Sequence, residues 1–337
     1  MNDDQASTKT RRAALIVPEG TDVAADGNAY DAEITGRLRE RGWVVDIREP
    51  GRPLDGYEVV LLDSLAFPTG PPATDAPVVA LAHQLPSVAH NRPDLRIAER
   101  DALLASRLVI AVASHVASSI RRLVDRSVVV LQPGRDRGAW TGAPDPQRTV
   151  LTVGSSGTGV PDAIRAFMAA RLPGSRLVVA GAFDRDRAER ATIQETAEGA
   201  GGSVELVGKL QPQELADRFG TARAFLDASR HEGWPVAVAE ALSSGVPVIG
   251  YDVAGMRELI RHGGEGFLVA PGDVPALADS LRRVWRDANL AAQLGEAGRR
   301  KAMQWPTWAE TASRAAVLIE RAAIGATVDQ LSETRSP

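Results

Sequence analysis

Short apolar runs rich in Val, Ile and Leu alternate with helical patterns along the whole chain, in two successive series. The first series occupies residues 13–17, 43–47, 58–63, 78–82, 108–113 and 128–131, and the second occupies residues 149–154, 176–181, 203–208, 224–229, 246–251 and 266–271. Continuous apolar strands between helices are typical of parallel sheets that are covered on both faces. The pattern therefore predicts an α/β fold with two Rossmann-like domains.

A stretch rich in Gly, Pro and charged residues, 132–148, separates the two series. Such a composition is typical of a linker, and 337 residues are enough for two domains. We place the N-terminal domain at residues 1–142 and the C-terminal domain at residues 143–305. Ligands of open parallel sheets bind beyond the carboxyl ends of the strands, so the natural site is a cleft between two such edges.

Charge and composition exclude several classes of function. A net charge of −4 argues against a mainly electrostatic nucleic-acid binder, and the absence of cysteine excludes disulfides, thiolate metal sites and cysteine nucleophiles. The polar N-terminus does not have the pattern of a signal peptide, and no apolar run is long enough to span a bilayer. We expect a cytoplasmic protein without a transmembrane segment, with peripheral membrane contact left open.

The segment SRHEGWPVAVAEALSSG, residues 229–245, carries two glutamates in unusual places. Glu232 lies in a Gly/Pro-rich loop after an apolar strand, and Glu240 lies in an otherwise apolar helix that Pro235 is predicted to start. An ionised carboxylate in apolar surroundings is costly unless a partner hydrogen-bonds to it. Either this chain supplies the partner, with Glu232 as a helix cap and Glu240 paired with an arginine, or a ligand supplies it.

Residues 232–281, which begin EGWPVAVAEALSSGVPVIGYD, resemble the donor-binding segment of glycosyltransferase family 4. That family comprises retaining, nucleotide-sugar-dependent enzymes with the GT-B fold, two Rossmann-like domains that face each other across a cleft. The resemblance is clear over residues 145–323 and looser over residues 13–136. It implies that Glu240 binds the nucleotide ribose and that Glu232 contacts the transferred sugar.

The same resemblance implies further features. Gly233 and Trp234 would contribute to donor binding beside the two glutamates. A nucleoside diphosphate sugar is the expected co-substrate, with no other cofactor and no metal. Residues 306–324 resemble the final helix of the family, which crosses back to the N-terminal domain, and the polar residues 325–337 are predicted to form a disordered tail.

Three residues of the N-terminal half have a place in this comparison. Gly27 and Asn28 belong to a segment that resembles the glycine-bearing loop of the family, which implies a position near the donor phosphates, although an ordinary turn explains them nearly as well. His83 follows the predicted strand 78–82. The resemblance places a histidine here beside the reacting sugar and the acceptor, whereas His90 and His115 are interpreted as structural.

The chain departs from the family pattern where the donor diphosphate is held. Ser155 and Thr158 stand near positions that usually carry an Arg and a Lys, and Pro235 stands where the family mostly has glycine. One alternative is that the backbone N–H groups and hydroxyls of GSSGTG, which precedes a helix, bind the donor diphosphate. Arg230 and Lys209 would then supply positive charge. The alternative is a plain flexible turn with both cations solvated.

The resulting prediction is a retaining glycosyltransferase, with hexosyl transfer as the expected reaction. It moves a sugar from a nucleoside diphosphate sugar to a hydroxyl of a small-molecule or glycolipid acceptor. The alternative is a degenerate family member that binds a nucleotide sugar, or only a partner protein, without transfer. A nicotinamide-dependent dehydrogenase is disfavoured because no G-x-G-x-x-G follows the first strand.

Overall fold

The computed structural model describes residues 10–18, 29–135, 149–155, 159–183 and 187–325. The chain forms two compact units: unit 1 comprises Met1–Gly134 and Pro306–Pro337, and unit 2 comprises Arg135–Trp305. The boundary that the sequence suggested, at residue 142, lies outside the described residues, as do residues 326–337 of the polar tail.

Unit 1 contains a fully parallel six-stranded sheet in the order β2-β1-β3-β4-β5-β6. Its strands are β1 (Arg11–Ile16), β2 (Trp43–Arg48), β3 (Val59–Asp63), β4 (Val78–Ala82), β5 (Leu108–Ala111) and β6 (Val129–Val130). The helices of this part are α1 (Ala29–Glu40), α2 (Pro86–Ala89), α3 (Arg96–Ala105) and α4 (Ser114–Leu123), with 3₁₀ turns at Ser64–Thr69 and Pro93–Leu95. Every residue of β3, β4 and β5 is buried, because these central strands are covered on both faces.

Unit 2 contains a second parallel six-stranded sheet, in the order β12-β11-β10-β7-β8-β9. Its strands are β7 (Thr149–Ser155), β8 (Arg176–Ala182), β9 (Val204–Gly208), β10 (Ala224–Asp227), β11 (Val248–Tyr251) and β12 (Gly266–Val269). Its helices are α5 (Val160–Ala170), α6 (Arg187–Glu198), α7 (Pro212–Thr221), α8 (Val236–Ser243), α9 (Ala254–Leu259), α10 (Val274–Arg286) and α11 (Ala288–Ala302). The strand order reverses between β7 and β10, where doubly wound sheets bind ligands.

The last helix, α12 (Trp308–Ala323), belongs to unit 1 and packs against α1. A capping box starts it, in which the Thr307 and Glu310 side chains each bind the other's backbone N–H group. Near its end, the Glu320 carboxylate accepts hydrogen bonds from Arg41 Nε at 3.0 Å and from Trp43 Nε1 at 3.2 Å. These contacts attach α12 to the segment that joins α1 to β2.

The structure confirms the predicted α/β fold with two parallel sheets, and each of the twelve predicted strands is present. The described helices include none that is both long enough and apolar enough to cross a bilayer.

Candidate active site

In unit 2, the segment between β10 and α8 carries the first pair of predicted site residues. The strand ends at Asp227 and the helix begins at Val236. Pro235 is the N-cap of α8, with φ −75° and ψ 91°, and does not start the helix as the sequence suggested. An N-cap residue has extended backbone angles, and the proline ring accepts this value of φ.

A compact turn around Ser229 follows β10. The backbone N–H of Ser229 donates to Asp227 Oδ1 at 2.8 Å, and both residues are buried. The Ser229 side chain also hydrogen-bonds to the carboxyl groups of Asp227 and Glu232. One serine therefore joins the end of the strand to the glutamate of the loop.

Glu232 is half-buried, with its backbone pressed against the start of α9. A Cβ atom on Gly255 would lie 2.5 Å from the Glu232 carbonyl oxygen, so glycine is required for this approach. Burial and the nearby Asp227 charge raise the pKa of Glu232 to about 8, although the Ser229 hydrogen bond opposes the shift. Burial also raises the pKa of Asp227. Both carboxyl groups of this turn therefore ionise less readily than an ordinary carboxyl group does.

Glu240 lies in the second turn of α8 and is half-buried, whereas Val238, Ala239, Ala241 and Leu242 around it are buried. Gly233 and Trp234 are buried as well. The Trp234 ring packs edge-on against Trp305, with ring centroids 5.9 Å apart. Trp234 therefore packs inside unit 2 and helps to fix the loop that carries Glu232.

Arg230 is half-exposed and ion-paired, with 53% of its side chain accessible. Its Nη2 donates to Asp162 Oδ2 at 2.7 Å, and the same carboxylate accepts from Arg165 at 3.0 Å and from the Tyr251 hydroxyl at 3.0 Å. Asp162 lies in the first turn of α5, so it joins this helix to the ends of β10 and β11. The sequence analysis missed Asp162, although an acidic residue directly after Pro161 at a helix start was visible.

The other proposed phosphate-binding residues are not brought together in the described part of the chain. Lys209 is exposed after β9, the edge strand, and β8 separates β9 from β7. Ser155 is the last residue of β7, and only its backbone is described. Thr158, Gly27 and Asn28 lie outside the described residues. Of Arg230 and Lys209, Arg230 is therefore the one that lies near the reversal of strand order between β7 and β10. It is ion-paired with Asp162.

In unit 1, His83 directly follows β4 and is held by two buried carboxyl groups. Its Nε2 lies 3.0 Å from Asp31 Oδ1 and 3.8 Å from Asp63 Oδ2, and both aspartates are fully buried. Asp31 belongs to the first turn of α1, and Asp63 ends β3. The backbone N–H of His83 donates to Ser64 Oγ at 3.1 Å, which fixes the turn after β4.

These carboxyl groups set the charge of the imidazole. Burial lowers the pKa of His83, but the charges of Asp31 and Asp63 outweigh burial and raise it to about 9. Burial raises the pKa of Asp63 to about 7. The charge of His83 opposes this rise, and the charge of Asp31 adds to it. The raised pKa favours the imidazolium form of His83, in which Nε2–H donates to Asp31 and Nδ1–H is a second donor.

The ligand atoms of Asp31, Asp63 and His83 lie within 4.8 Å of one another, a spacing that could hold a metal ion. A metal bound here would require Nε2 to be deprotonated, whereas a hydrogen bond from His83 to Asp31 requires Nε2 to carry a proton. The distances fit both arrangements, so the expected absence of a metal stays a prediction. Sequence analysis identified His83 but neither aspartate. Asp63 could have been found, because it ends β3, the strand that pairs with β4.

Comparison with known proteins agrees with this architecture. Residues 140–301 match the family model described as glycosyl transferases group 1. A GDP-mannose:cellobiosyl-diphosphopolyprenol alpha-mannosyltransferase of Xanthomonas campestris is 32% identical over 183 residues, 52% of this chain and 46% of the relative. The chain thus spans less than half the length of this and several other curated relatives that it matches.

Solved structures with similar folds cover nearly the whole chain. Sucrose-phosphate synthase from Thermosynechococcus elongatus superposes with a TM-score of 0.77 at 20% identity, over 92% of this chain and 98% of that one. Anabaena HepE in complex with UDP and glucose also has a TM-score of 0.77, at 16% identity, over 92% of this chain and 99% of that one. At such identities the likeness shows the fold, which is GT-B.

Proposed function

Because residues 140–301 match the family model of glycosyl transferases group 1, we propose that this chain is a retaining hexosyltransferase that uses a nucleoside diphosphate sugar. The observation that carries the proposal is the position of Glu232 and Glu240. They flank the N-terminus of α8, directly after the strand at which the sheet order reverses. Ligands of such sheets bind at this place, and the similar proteins include a mannosyltransferase named for GDP-mannose and a solved structure in complex with UDP.

On the donor side, we assign the nucleotide ribose to Glu240 and the transferred sugar to Glu232. A ribose diol can donate two hydrogen bonds to one carboxylate, and hydrogen bonds to charged acceptors are the strong ones. Both glutamates are half-buried, but only Glu240 lies on a helix. The rigid helix would therefore hold the nucleotide. The loop residue would then contact the part of the donor that changes during the reaction.

The leaving diphosphate needs donors that are in place before charge develops on it. Arg230 fits this role because its guanidinium has five N–H groups, its side chain is half-exposed, and Asp162 already fixes its orientation. The leaving phosphate would itself accept the proton of the acceptor hydroxyl, so no separate general base is required. Arg230→Gln should lower the affinity for a nucleoside diphosphate about tenfold and leave the affinity for the nucleoside nearly unchanged.

In unit 1, His83 would orient the transferred sugar and the acceptor through Nδ1–H. Its Nε2 is engaged by Asp31, and 21% of the side chain remains accessible. The imidazolium form makes this a charge-assisted donor, which binds a hydroxyl oxygen more strongly than neutral imidazole does. The acceptor is a small molecule or a glycolipid, and with the latter, peripheral contact with a membrane would accompany the reaction.

The second candidate function is binding without transfer. Two observations favour it. Ser155 and Thr158 stand near the positions at which the family usually has an Arg and a Lys, and Arg230 is already ion-paired with Asp162. One assay separates the two functions: UDP-, GDP- and dTDP-sugars are tested in parallel for binding, for hydrolysis and for transfer to small-molecule and glycolipid acceptors. Turnover supports the transferase, and saturable binding with no turnover in any arm supports the alternative.

A further inference from the structure

One carboxylate of unit 2 accepts hydrogen bonds from two arginines. Asp162 Oδ1 accepts from Arg165 Nη1 at 3.0 Å, and Asp162 Oδ2 accepts from Arg230 Nη2 at 2.7 Å. The Tyr251 hydroxyl also donates to Oδ2, at 3.0 Å. Because one carboxylate accepts both arginine bonds, the two guanidinium groups lie close together. Asp162, Arg165 and Arg230 thus form an arginine cluster.

The packing of α5 against the end of β10 fixes the position of the arginine cluster. A Cβ atom on Gly159, the N-cap of α5, would lie 2.0 Å from the Ala228 carbonyl oxygen, so the helix start touches the chain just before Arg230. A Cβ atom on Gly272, in the loop after β12, would lie 3.6 Å from Arg230 Nη1. The cluster therefore lies at the carboxyl ends of the strands, where the strand order reverses and the donor site is proposed.

The charges of the three side chains in the arginine cluster do not balance. Two guanidinium groups accompany one carboxylate, which leaves one positive charge among them. The carboxylate is also the covered member: 12% of the Asp162 side chain is accessible, against 52% for Arg165 and 53% for Arg230. A ligand that approaches from solvent therefore meets two guanidinium groups, whose planar arrays of N–H donors match the oxygen atoms of a phosphate.

We propose that the arginine cluster binds the donor diphosphate and that Arg165 is its second cation. This assignment rests on the proposed function, which already places Arg230 at the leaving diphosphate. A diphosphate carries charge on both of its phosphoryl groups, so two arginines match it better than one does. Asp162 is a positioning residue that holds both guanidinium groups before the ligand binds. The two arginines would take the place of the Arg and Lys that the family usually has near Ser155 and Thr158.

Calorimetry with the full chain tests the role of Arg165. Binding of inorganic pyrophosphate, UDP and GDP is compared with binding of uridine and guanosine, in the parent and in Arg165→Gln. We expect the affinity for pyrophosphate and for both nucleoside diphosphates to fall about fivefold, a modest loss because water partly screens a half-exposed guanidinium. The affinity for the nucleosides should not change. Unchanged affinity for the three phosphate ligands would overturn the proposal.

A double variant separates direct binding by Arg165 from an effect that passes through Arg230. If both arginines contact the ligand, Arg165→Gln/Arg230→Gln should bind pyrophosphate several-fold more weakly than Arg230→Gln alone. Equal affinity of these two variants would mean that Arg165 acts only by way of its neighbour, and would overturn the proposal. Arg176→Gln is the control: it removes an arginine of similar accessibility at the amino end of β8, and should change none of these affinities.

Turnover of nucleotide sugars keeps the test of the arginine cluster separate from the test of the proposed function. Binding of pyrophosphate and nucleoside diphosphates that depends on Arg165, without hydrolysis or transfer of any sugar, would support the cluster and count against the transferase. Turnover by the parent, together with unchanged diphosphate affinity in Arg165→Gln, would overturn the role of the cluster and leave the transferase supported.

Discussion

The pair of Asp31 and His83 offers the sharpest test of the electrostatics in unit 1. Asp31→Asn removes a carboxylate that is fully buried and 3.0 Å from His83 Nε2, and keeps its shape. The pKa of His83 is raised from 6.5 to about 9 although burial lowers it. That rise corresponds to roughly 3 kcal/mol in favour of the charged ring at about 1.4 kcal/mol per unit, and Asp31 contributes most among the groups that raise the pKa.

The pKa of His83 should therefore fall by more than one unit in Asp31→Asn, so that the ring is mostly neutral at pH 8. The assay is a proton–carbon NMR titration of the imidazole Cε1–H signals, with the His83 signal identified from its absence in His83→Gln. The same shift makes the stability of the fold depend on pH. In the parent, the pair contributes its full stabilisation below about pH 6.5, and this contribution is lost as the pH rises through 9. A variant whose His83 still titrates near 9 would refute the assignment to Asp31.

Three other substitutions test the site and the fold. Glu240→Ala should weaken nucleoside diphosphate binding at least tenfold in calorimetry, because it removes the proposed ribose acceptor; unchanged affinity would contradict that role. Gly159→Ala should lower the free energy of unfolding in urea by about 2–4 kcal/mol, since the residue has φ 74° and a Cβ atom would lie 2.0 Å from the Ala228 carbonyl oxygen. Glu320→Gln should destabilise the chain by about 1 kcal/mol at pH 7, because Arg41 and Trp43 both donate to this carboxylate.

Gly159→Ala, Arg230→Gln and Glu320→Gln each have a matched control or condition. Gly220→Ala places the new methyl group in α7 with no atom within 4 Å, so it should leave the stability unchanged or raise it slightly. Arg176→Gln removes an arginine whose side chain is about as accessible as that of Arg230 but which lies at the amino end of β8. It should not alter diphosphate binding. The Arg41 hydrogen bond lowers the pKa of Glu320, so the cost of Glu320→Gln should vanish as the pH falls through that lowered value.

The strands could be predicted from the sequence because their signal is local. In VVALA and EVVLLD, for example, successive apolar residues already indicate burial on both faces, and both segments are central strands of unit 1. Glu232 and His83 could be identified as candidates for a related reason, since each follows such a strand. Pro235 shows the limit of this reading: it marks the start of α8, but backbone angles decide that it caps the helix instead of joining it.

The aspartates that control these residues could not be found in the same way. Asp31 is 52 positions from His83, and Asp162 is 68 positions from Arg230. No local pattern relates such residues, because the pairing arises when the strands assemble and bring the starts of helices to the strand ends. Asp227 is close to Glu232 in sequence, yet the loop conformation around Ser229 is needed to join the two carboxyl groups.

The sequence by itself therefore determined the parallel sheets, their two series and the strand ends at which the candidate residues lie, since hydrophobic patterning acts over a few residues. Only the tertiary structure decided the charge of those residues. It raised the pKa of His83 and of Glu232 and paired Arg230 with Asp162. Protonation depends on loss of water and on charges within a few ångströms, and folding alone brings these groups together.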